Sequence, residues 1–338
     1  MPDNLRHAQY DLRGSQVDDP QKTTPDLPGG LRTFSPQQYD SSAGTTYGVS
    51  DDTDAVLWAY SQAVRYRGAL YLGPYFYRML RPLPRVESPV AIFCFFSAVS
   101  GLIVDVTLEG DMISFRETQF NSADVNQATT NINISTSKIG VQLYGFSIHG
   151  NRATTKVQNG IVFYDRNDNF RIENVEVNCI KGHGIAVSGP STFTPAKSWA
   201  REFFVINSQA RWCGDSATNR AAWVIDSDNW QAWDDGTNLA ELTGIKAIFS
   251  DGTAISVDAR NTSTAQVNAI KLEAIIEGGQ GLSSTVPGVL LKGGIKSSQF
   301  DLIFGSLQRG AGAYCLHIDQ NSIGQKLDES VLNLHFGS

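Results

Sequence analysis

From residue 141 onward the chain is written in short alternating runs. Val141-Gln142-Leu143-Tyr144-Gly145-Phe146-Ser147-Ile148 alternates, as do Phe170-Arg171-Ile172-Glu173-Asn174-Val175 and Phe203-Phe204-Val205-Ile206-Asn207-Ser208. Runs of the same kind start at Gly244, Ala269, Gln299 and Val331, so successive starts lie about 25 to 41 residues apart. A second series interleaves with the first, starting at Gly160, Gly184, Ala222, Ala254, Gly288 and Tyr314. Period-two alternation marks strands with one covered face. Two interleaved strand series at a loosely fixed period predict a solenoid whose coils bury their apolar faces only by stacking. A β-sandwich also offers short strands between turns. It gives no register between distant segments, whereas Phe170, Ile172 and Asn174 line up with Phe203, Val205 and Asn207. Asn174 and Asn207 are then expected one above the other at a coil bend, satisfying turn backbone.

The opening module is different. Ser50, Asp51, Asp52 and Thr53 offer acceptors and negative charge to a first helical turn. Ala55, Trp58, Ala59, Gln62, Ala63 and Tyr66 then recur at helical spacing, with Val56 and Tyr60 widening the apolar side. A helix near 52–66 follows, stopped by Arg67-Gly68, before the strand Ala69-Leu70-Tyr71-Leu72 and a Gly73-Pro74 turn. Residues 1–44 are polar and broken by Pro20, Pro25, Pro28 and Pro36, which predicts an extended arm, with 45–338 forming the solenoid domain.

The module resembles the start of the pectate-lyase-like right-handed parallel β-helix superfamily, in particular phage tailspikes and tail-associated depolymerases. The matching residues are Gly48-Val49, Asp51-Asp52-Thr53, Ala55-Val56, Ala59-Tyr60, Gly68, Leu70-Tyr71-Leu72, Pro74 and Tyr77. Phe146-Ser147-Ile148-His149-Gly150-Asn151 is similar to an "Ile-Asp-Gly-Asn" rung of that family, with His149 in place of Asp. The resemblance implies an all-β parallel β-helix whose helix covers the N-terminal end. It implies a virion protein anchored by its arm to other virion proteins, recognising host surface polysaccharide with or without depolymerising it. The alternative is a non-enzymatic head-decoration or architectural spike protein.

Composition narrows the partners. A net charge of -7 and no basic stripe count against nucleic acid. No apolar run of membrane-spanning length occurs and the polar N-terminus is not a signal peptide, so neither membrane insertion nor export is expected. Cys94, Cys179, Cys213 and Cys315 lack metal-site spacing and are expected as buried thiols; no cofactor or metal is implied.

Candidate chemistry falls in two places. Gly182-His183-Gly184 is similar to a polygalacturonase segment, without the Asn-Thr-Asp, Asp-Asp and Arg-Ile-Lys that accompany it there. His183 is thus either a catalytic group or a turn histidine. Trp199, Trp212, Trp223, Trp230 and Trp233 cluster with Asp226, Asp228, Asp234 and Asp235 in the longest interval between strands. Trp230 and Trp233 are expected to stack on sugar rings, and Asp228, Asp234 and Asp235 to supply a carboxylate pair for glycoside cleavage. Trp212 and Trp223 are expected in the core. The last strand, Val331–Phe336, lacks a cap, which predicts a homotrimer covering that end and rung faces such as those of Phe300, Leu302 and Phe304.

Overall fold

The computed structural model describes residues 32–85, 90–94, 99–116, 140–164, 166–188, 199–227, 237–259, 267–278, 286–305, 314–320, 324 and 327–337. Every strand pairing among them is parallel, in one 18-stranded and one 7-stranded sheet. The coils stack as a right-handed parallel β-helix with three faces. Face one carries Thr33–Phe34, Ala69–Tyr71, Ala91–Phe93, Gln142–Tyr144, Arg171–Glu173 and Phe204–Ile206. Face two carries Phe76–Met79, Gly101–Val104, Ser147–His149, Glu176–Asn178 and Gln209–Arg211. In later coils Thr237–Ile248, Val267–Glu277, Gln299–Phe304 and Val331–Phe336 run across both of these faces. Face three is the smaller sheet, from Gly110–Arg116 through Gln158–Tyr164, Ile185–Ser188, Trp223–Ser227, Ile255–Ala259 and Val289–Gly293 to Leu316–Asp319.

Register makes the core. On face one, Phe34, Leu70, Ile92, Leu143, Ile172, Val205, Leu242, Leu272, Phe300 and Leu332 are successive pairing partners pointing inward. On face three the inward column is Ile113, Ile161, Ile185, Trp223, Ile255, Val289 and Leu316. Phe163, Phe170 and Phe203 stack through the interior at centroid distances of 4.1 and 4.7 Å. Phe300, Leu302 and Phe304 lie inside the coil, at most 1% exposed. This corrects the expectation that they form a subunit contact: alternation turns them into their own core.

The bends are built from left-handed residues repeated in register. Asn174 (φ 53°) and Asn207 (φ 47°) share a column with Gly145 and Gly244 between faces one and two. The N–H groups of Gly145, Asn174 and Asn207 each donate to a carbonyl of the next coil, those of Glu173, Ile206 and Thr243, at 2.9–3.0 Å. Asn169, Glu202, Leu239, Ala269, Ser297 and Glu329 form a second such column before face one. Cys179, Trp212, Phe249 and Gly278 form a third after face two. Each non-glycine residue here gives up about 1–2 kcal/mol of backbone preference, which the intercoil hydrogen bonds and the packing they permit offset.

The N-terminal end is closed by three devices. Thr33–Phe34 pairs with Ala69–Tyr71, and Phe34 is buried. The folded body therefore includes residues 32–44, which the sequence assigns to the arm, because the outer edge of face one needs a partner strand; residues 1–31 lie outside the described residues. The helix Thr53–Arg65 turns Ala55, Val56, Ala59, Tyr60 and Ala63 onto the first coil. Residues 51–53 close the edge of face two. Asp52 makes no side-chain cap to its helix. Its Oδ1 accepts from the Gly44 N–H and its Oδ2 from the Arg78 N–H, both at 3.0 Å, while the Asp52 N–H donates to the Arg78 carbonyl. Thr53 Oγ1 accepts from the Leu80 N–H at 2.8 Å, and Asp51 caps Thr53. The Asp-Asp-Thr motif thus substitutes for the missing neighbour strand of Phe76–Met79. At the other end, Ile318, Leu334 and Phe336 are 43%, 36% and 61% exposed at inward-pointing positions.

Arg78 also pairs with the buried Asp105 at 2.6 Å. The Thr107 hydroxyl, with the Thr107 N–H and Arg78, holds the Asp105 carboxyl below its ordinary range against the opposing effect of burial. A carboxyl lowered in the folded state adds stability that is present above its unfolded value of about 3.9 and is lost as pH falls through the folded value. Asp105→Asn should therefore flatten the loss of stability in urea titrations taken below about pH 4; an unchanged acid slope would contradict this role.

Candidate functional site

Between faces two and three each coil leaves the sheet in a turn, and turns from successive coils lie side by side. Arg152, Ala153, Lys181, Gly214, Asp215, Ser216 and Asp251 line an open groove of about 540 Å³ there. Arg152 forms an ion pair with Asp251. Lys181 Nζ donates to the Thr154 carbonyl at 3.2 Å. Asp215 spends Oδ1 on the Ala217 N–H (3.0 Å) and Oδ2 on the Thr218 hydroxyl (2.7 Å). A two-way backbone bridge from Asp215 to Arg220 closes this turn.

Beside the groove runs the third bend column. Trp212 and Phe249 are half-buried and stacked, with centroids 5.6 Å apart and planes 14° from parallel. The Arg211 guanidinium lies 5.2 Å from the Trp212 ring centre. The next member of the column is Gly278, where an added Cβ would come within 2.3 Å of the Phe249 ring. Left-handed geometry turns these rings outward, so Trp212 is not in the core as the sequence suggested; Trp223 is fully buried, its Nε1 donating to the Lys246 carbonyl. The outward ring is legible only once Trp212 is seen to fall on a bend instead of a strand.

His183 lies one turn away. Its N–H donates to Asn159 Oδ1 at 2.8 Å, and its Nδ1 accepts from the Ala221 N–H at 3.2 Å. The ring thus ties neighbouring coils together. Trp230, Trp233, Asp228, Asp234 and Asp235 lie outside the described residues. Asp226 is buried. All four cysteines are free; Cys94 and Cys213 are buried, as expected, while Cys179 and Cys315 are partly exposed. Burial pushes the Cys213 thiol up to about 12. Among the described residues no group of three or more His, Cys, Asp or Glu is placed to hold a metal ion. No helix among them is long and apolar enough to cross a membrane.

Outside face three stands a polar group that the sequence did not single out. Tyr164 donates to Asp111 Oδ2 at 2.6 Å, Asn159 Nδ2 donates to Asp111 Oδ1 at 2.8 Å, and the Arg85 guanidinium lies 4.0 Å from the centre of the Tyr164 ring. Its members come from three separate segments, with no motif to join them.

No protein-family model matches the sequence, and no curated protein matches it. Solved structures do match. The pre-mature gene product 12 of bacteriophage phi29 is similar over 80% of this chain and 34% of its own, with a TM-score of 0.51 and 12% identity. The likeness is one of fold. ORF18 of Geobacillus virus E2 aligns over 90% of this chain and 61% of its own, with a TM-score of 0.48 and 12% identity. The enzymatically active domain of bacteriophage CBA120 tailspike protein 2 aligns over 96% and 50%, with a TM-score of 0.38 and 13% identity. The chain thus spans less than two thirds of each of these proteins.

The Trp212–Phe249 stack depends on the missing side chain at position 278. Gly278→Ala should displace Phe249, shift tryptophan emission to the red and expose Trp212 to acrylamide quenching. Unchanged emission and quenching would show that the stack does not need the glycine.

Proposed function

We propose that this is a virion-associated β-helix protein of a tailed phage that recognises a host surface polysaccharide. The observation that carries the reading is the half-buried Trp212–Phe249 stack beside a groove of hydrogen-bonding and charged groups on the outside of a rigid solenoid. Flat aromatic faces beside polar groups suit sugar rings, which are apolar on their faces and hydroxylated at their rims. The fold shared with a phage gene product supports the virion setting.

A second reading, binding without cleavage, is favoured by the groove's acids: Asp251 is ion-paired and Asp215 is hydrogen-bonded through both oxygens. Cleavage by hydrolysis or elimination needs free carboxylates or a base, for which Asp228, Asp234, Asp235 and His183 remain the candidates, with Trp230 and Trp233 as further sugar contacts.

The test is biosensor binding of the purified chain to a panel of bacterial capsular and lipopolysaccharide glycans. Trp212→Ala should weaken the bound glycan about tenfold, roughly one stacked ring, with folding intact. Measuring reducing ends and unsaturated products in the same samples separates the two readings. Binding to no glycan, or unchanged binding by the variant, would remove the groove from consideration.

The same proposal assigns residues 1–31 to anchoring on other virion proteins, and the exposed Ile318, Leu334 and Phe336 to a homotrimer. A chain lacking residues 1–31 should keep its fold and fail to enter particles. Light scattering of that chain should give three times the protomer mass; a stable monomer at micromolar concentration would exclude an intrinsic trimer.

A further inference from the structure

The outer surface of face two carries a cluster that the groove does not use. Phe76 and Ser147 are both register partners of Gly101, so the coil between them has no side chain at that outward position. The Phe76 and His149 rings meet across it, with centroids 5.3 Å apart and planes 74° from parallel. Tyr47 adds a third ring, 5.0 Å from Phe76 and at 70° to it. The Tyr47 turn is pinned to the sheet: Arg78 Nη1 donates to the Val49 carbonyl at 3.0 Å, and the Thr46 and Ser50 hydroxyls are hydrogen-bonded at 2.7 Å. Phe76 is half-buried, and Tyr47 is 65% exposed.

The Ser147 hydroxyl has one proton, and it goes to the Ser100 carbonyl at 2.9 Å. His149 Nε2, 3.0 Å from the same hydroxyl oxygen, must therefore be the donor. The neutral ring then carries its lone pair on Nδ1, which accepts from no group among the described residues and is open to solvent. Burial, opposed by the charge of Glu176, holds His149 below its ordinary value, so the ring is neutral at neutral pH. Glu176 stands on the next coil, where Ser147 pairs with Glu176 and His149 with Asn178. Its Oε1 accepts from Asn178 Nδ2 at 2.7 Å, and its Oε2 has no partner among the described residues. Nearby donors are spent: Asn178 Nδ2 on Glu176, and Arg78 on Val49 and Asp105.

A place with flat rings and free acceptors fits a partner that is apolar on its face and donates at its rim. A sugar ring does both, whereas an oxyanion would be repelled by the Glu176 carboxylate. From this arrangement we infer that Tyr47, Phe76, His149 and Glu176 form a second saccharide subsite, which takes an uncharged sugar by its hydroxyl groups. The inference rests on the glycan-binding reading and deepens it: the ligand is a chain long enough to leave the groove and cross face two. His149, Asn178 and Arg211 are register partners in successive coils, and Trp212 follows Arg211. At the ~4.8 Å spacing of neighbouring strands, His149 and Arg211 lie about 10 Å apart along the solenoid. One saccharide chain can therefore lie on both aromatic surfaces.

The test is calorimetric titration of the full chain with neutral hexasaccharides of glucose, mannose, galactose and N-acetylglucosamine, with hexagalacturonate and a glucosamine hexamer as charged comparisons. At least one neutral probe should bind, with an affinity unchanged at about 0.5 M salt because no charge pair is formed. Tyr47→Ala and His149→Phe should each weaken that probe about tenfold, the first for a lost stacked ring and the second for a lost acceptor on a retained ring. Binding of no neutral probe, or unchanged binding by Tyr47→Ala with folding intact, overturns the subsite. Binding of a charged hexamer alone, lost at high salt, overturns it too, because charge and not the hydroxyl groups would then select the ligand. If Trp212→Ala weakens polysaccharide binding in the biosensor panel while Tyr47→Ala and His149→Phe change nothing, the subsite falls and the glycan reading stands. If neutral probes respond to both variants while no bacterial polysaccharide binds, the subsite stands and the polysaccharide reading falls instead. Should His149→Phe fail to fold, Tyr47→Ala at its exposed position decides.

Discussion

Everything in this protein depends on each coil returning to its starting point in step with the coil before it. Side chains alternate in and out with a period of two, so a slip of one residue would turn a column such as Ile172, Val205, Leu242 and Leu272 out of the core. The left-handed bend columns prevent that slip. They force the same turn at the same place in successive coils, and their N–H groups run coil to coil as the strand ladders do. Bend and core are therefore one device. The bends set the register, and the register lets Phe163, Phe170 and Phe203 meet face to face.

A stack of parallel strands leaves a problem at each end, since the outermost strand offers unpaired backbone groups. The N-terminal solution is divided among short pieces because each face needs its own. Thr33–Phe34 supplies a strand for face one, and Asp52 and Thr53 supply side-chain acceptors for the edge of face two. The helix covers the apolar interior that neither edge repair reaches. At the other end Phe336 and Ile318 are exposed.

What the sequence made legible follows from the same physics. Strand alternation, the alignment of Asn174 with Asn207 and the helix near 52–66 all express local patterns, and the structure contains each of them. The boundary of the body was not legible because Thr33–Phe34 is too short to show a period, and only the open edge of Ala69–Tyr71 makes it a strand. The role of Asp52 was hidden because its position before a helix suggests a cap, while its partners, Gly44 and Arg78, are defined by tertiary structure. Phe300, Leu302 and Phe304 read as a contact face because alternation identifies a covered side without saying what covers it. Arg85, Asp111 and Tyr164 meet only through coil stacking and loop closure, which no window along the chain can contain.

Function in such a molecule is carried by residues that the stack does not need. An inward position such as Val205 or Leu242 asks only for apolar volume, so many sequences satisfy it, and a shared fold at 12% identity without a matching family model is what that tolerance produces. An outward position is freer still. That is why likeness of fold leaves the ligand open, and why the informative residues are those whose state the stack does not explain. Trp212 at a strained bend with its ring toward solvent is one; His149 with an open, unengaged Nδ1 is another. Both lie on or beside face two, joined through the register partners Asn178 and Arg211. A ligand that lay along it would touch two stacking surfaces a few coils apart, held rigid by the same register that builds the core.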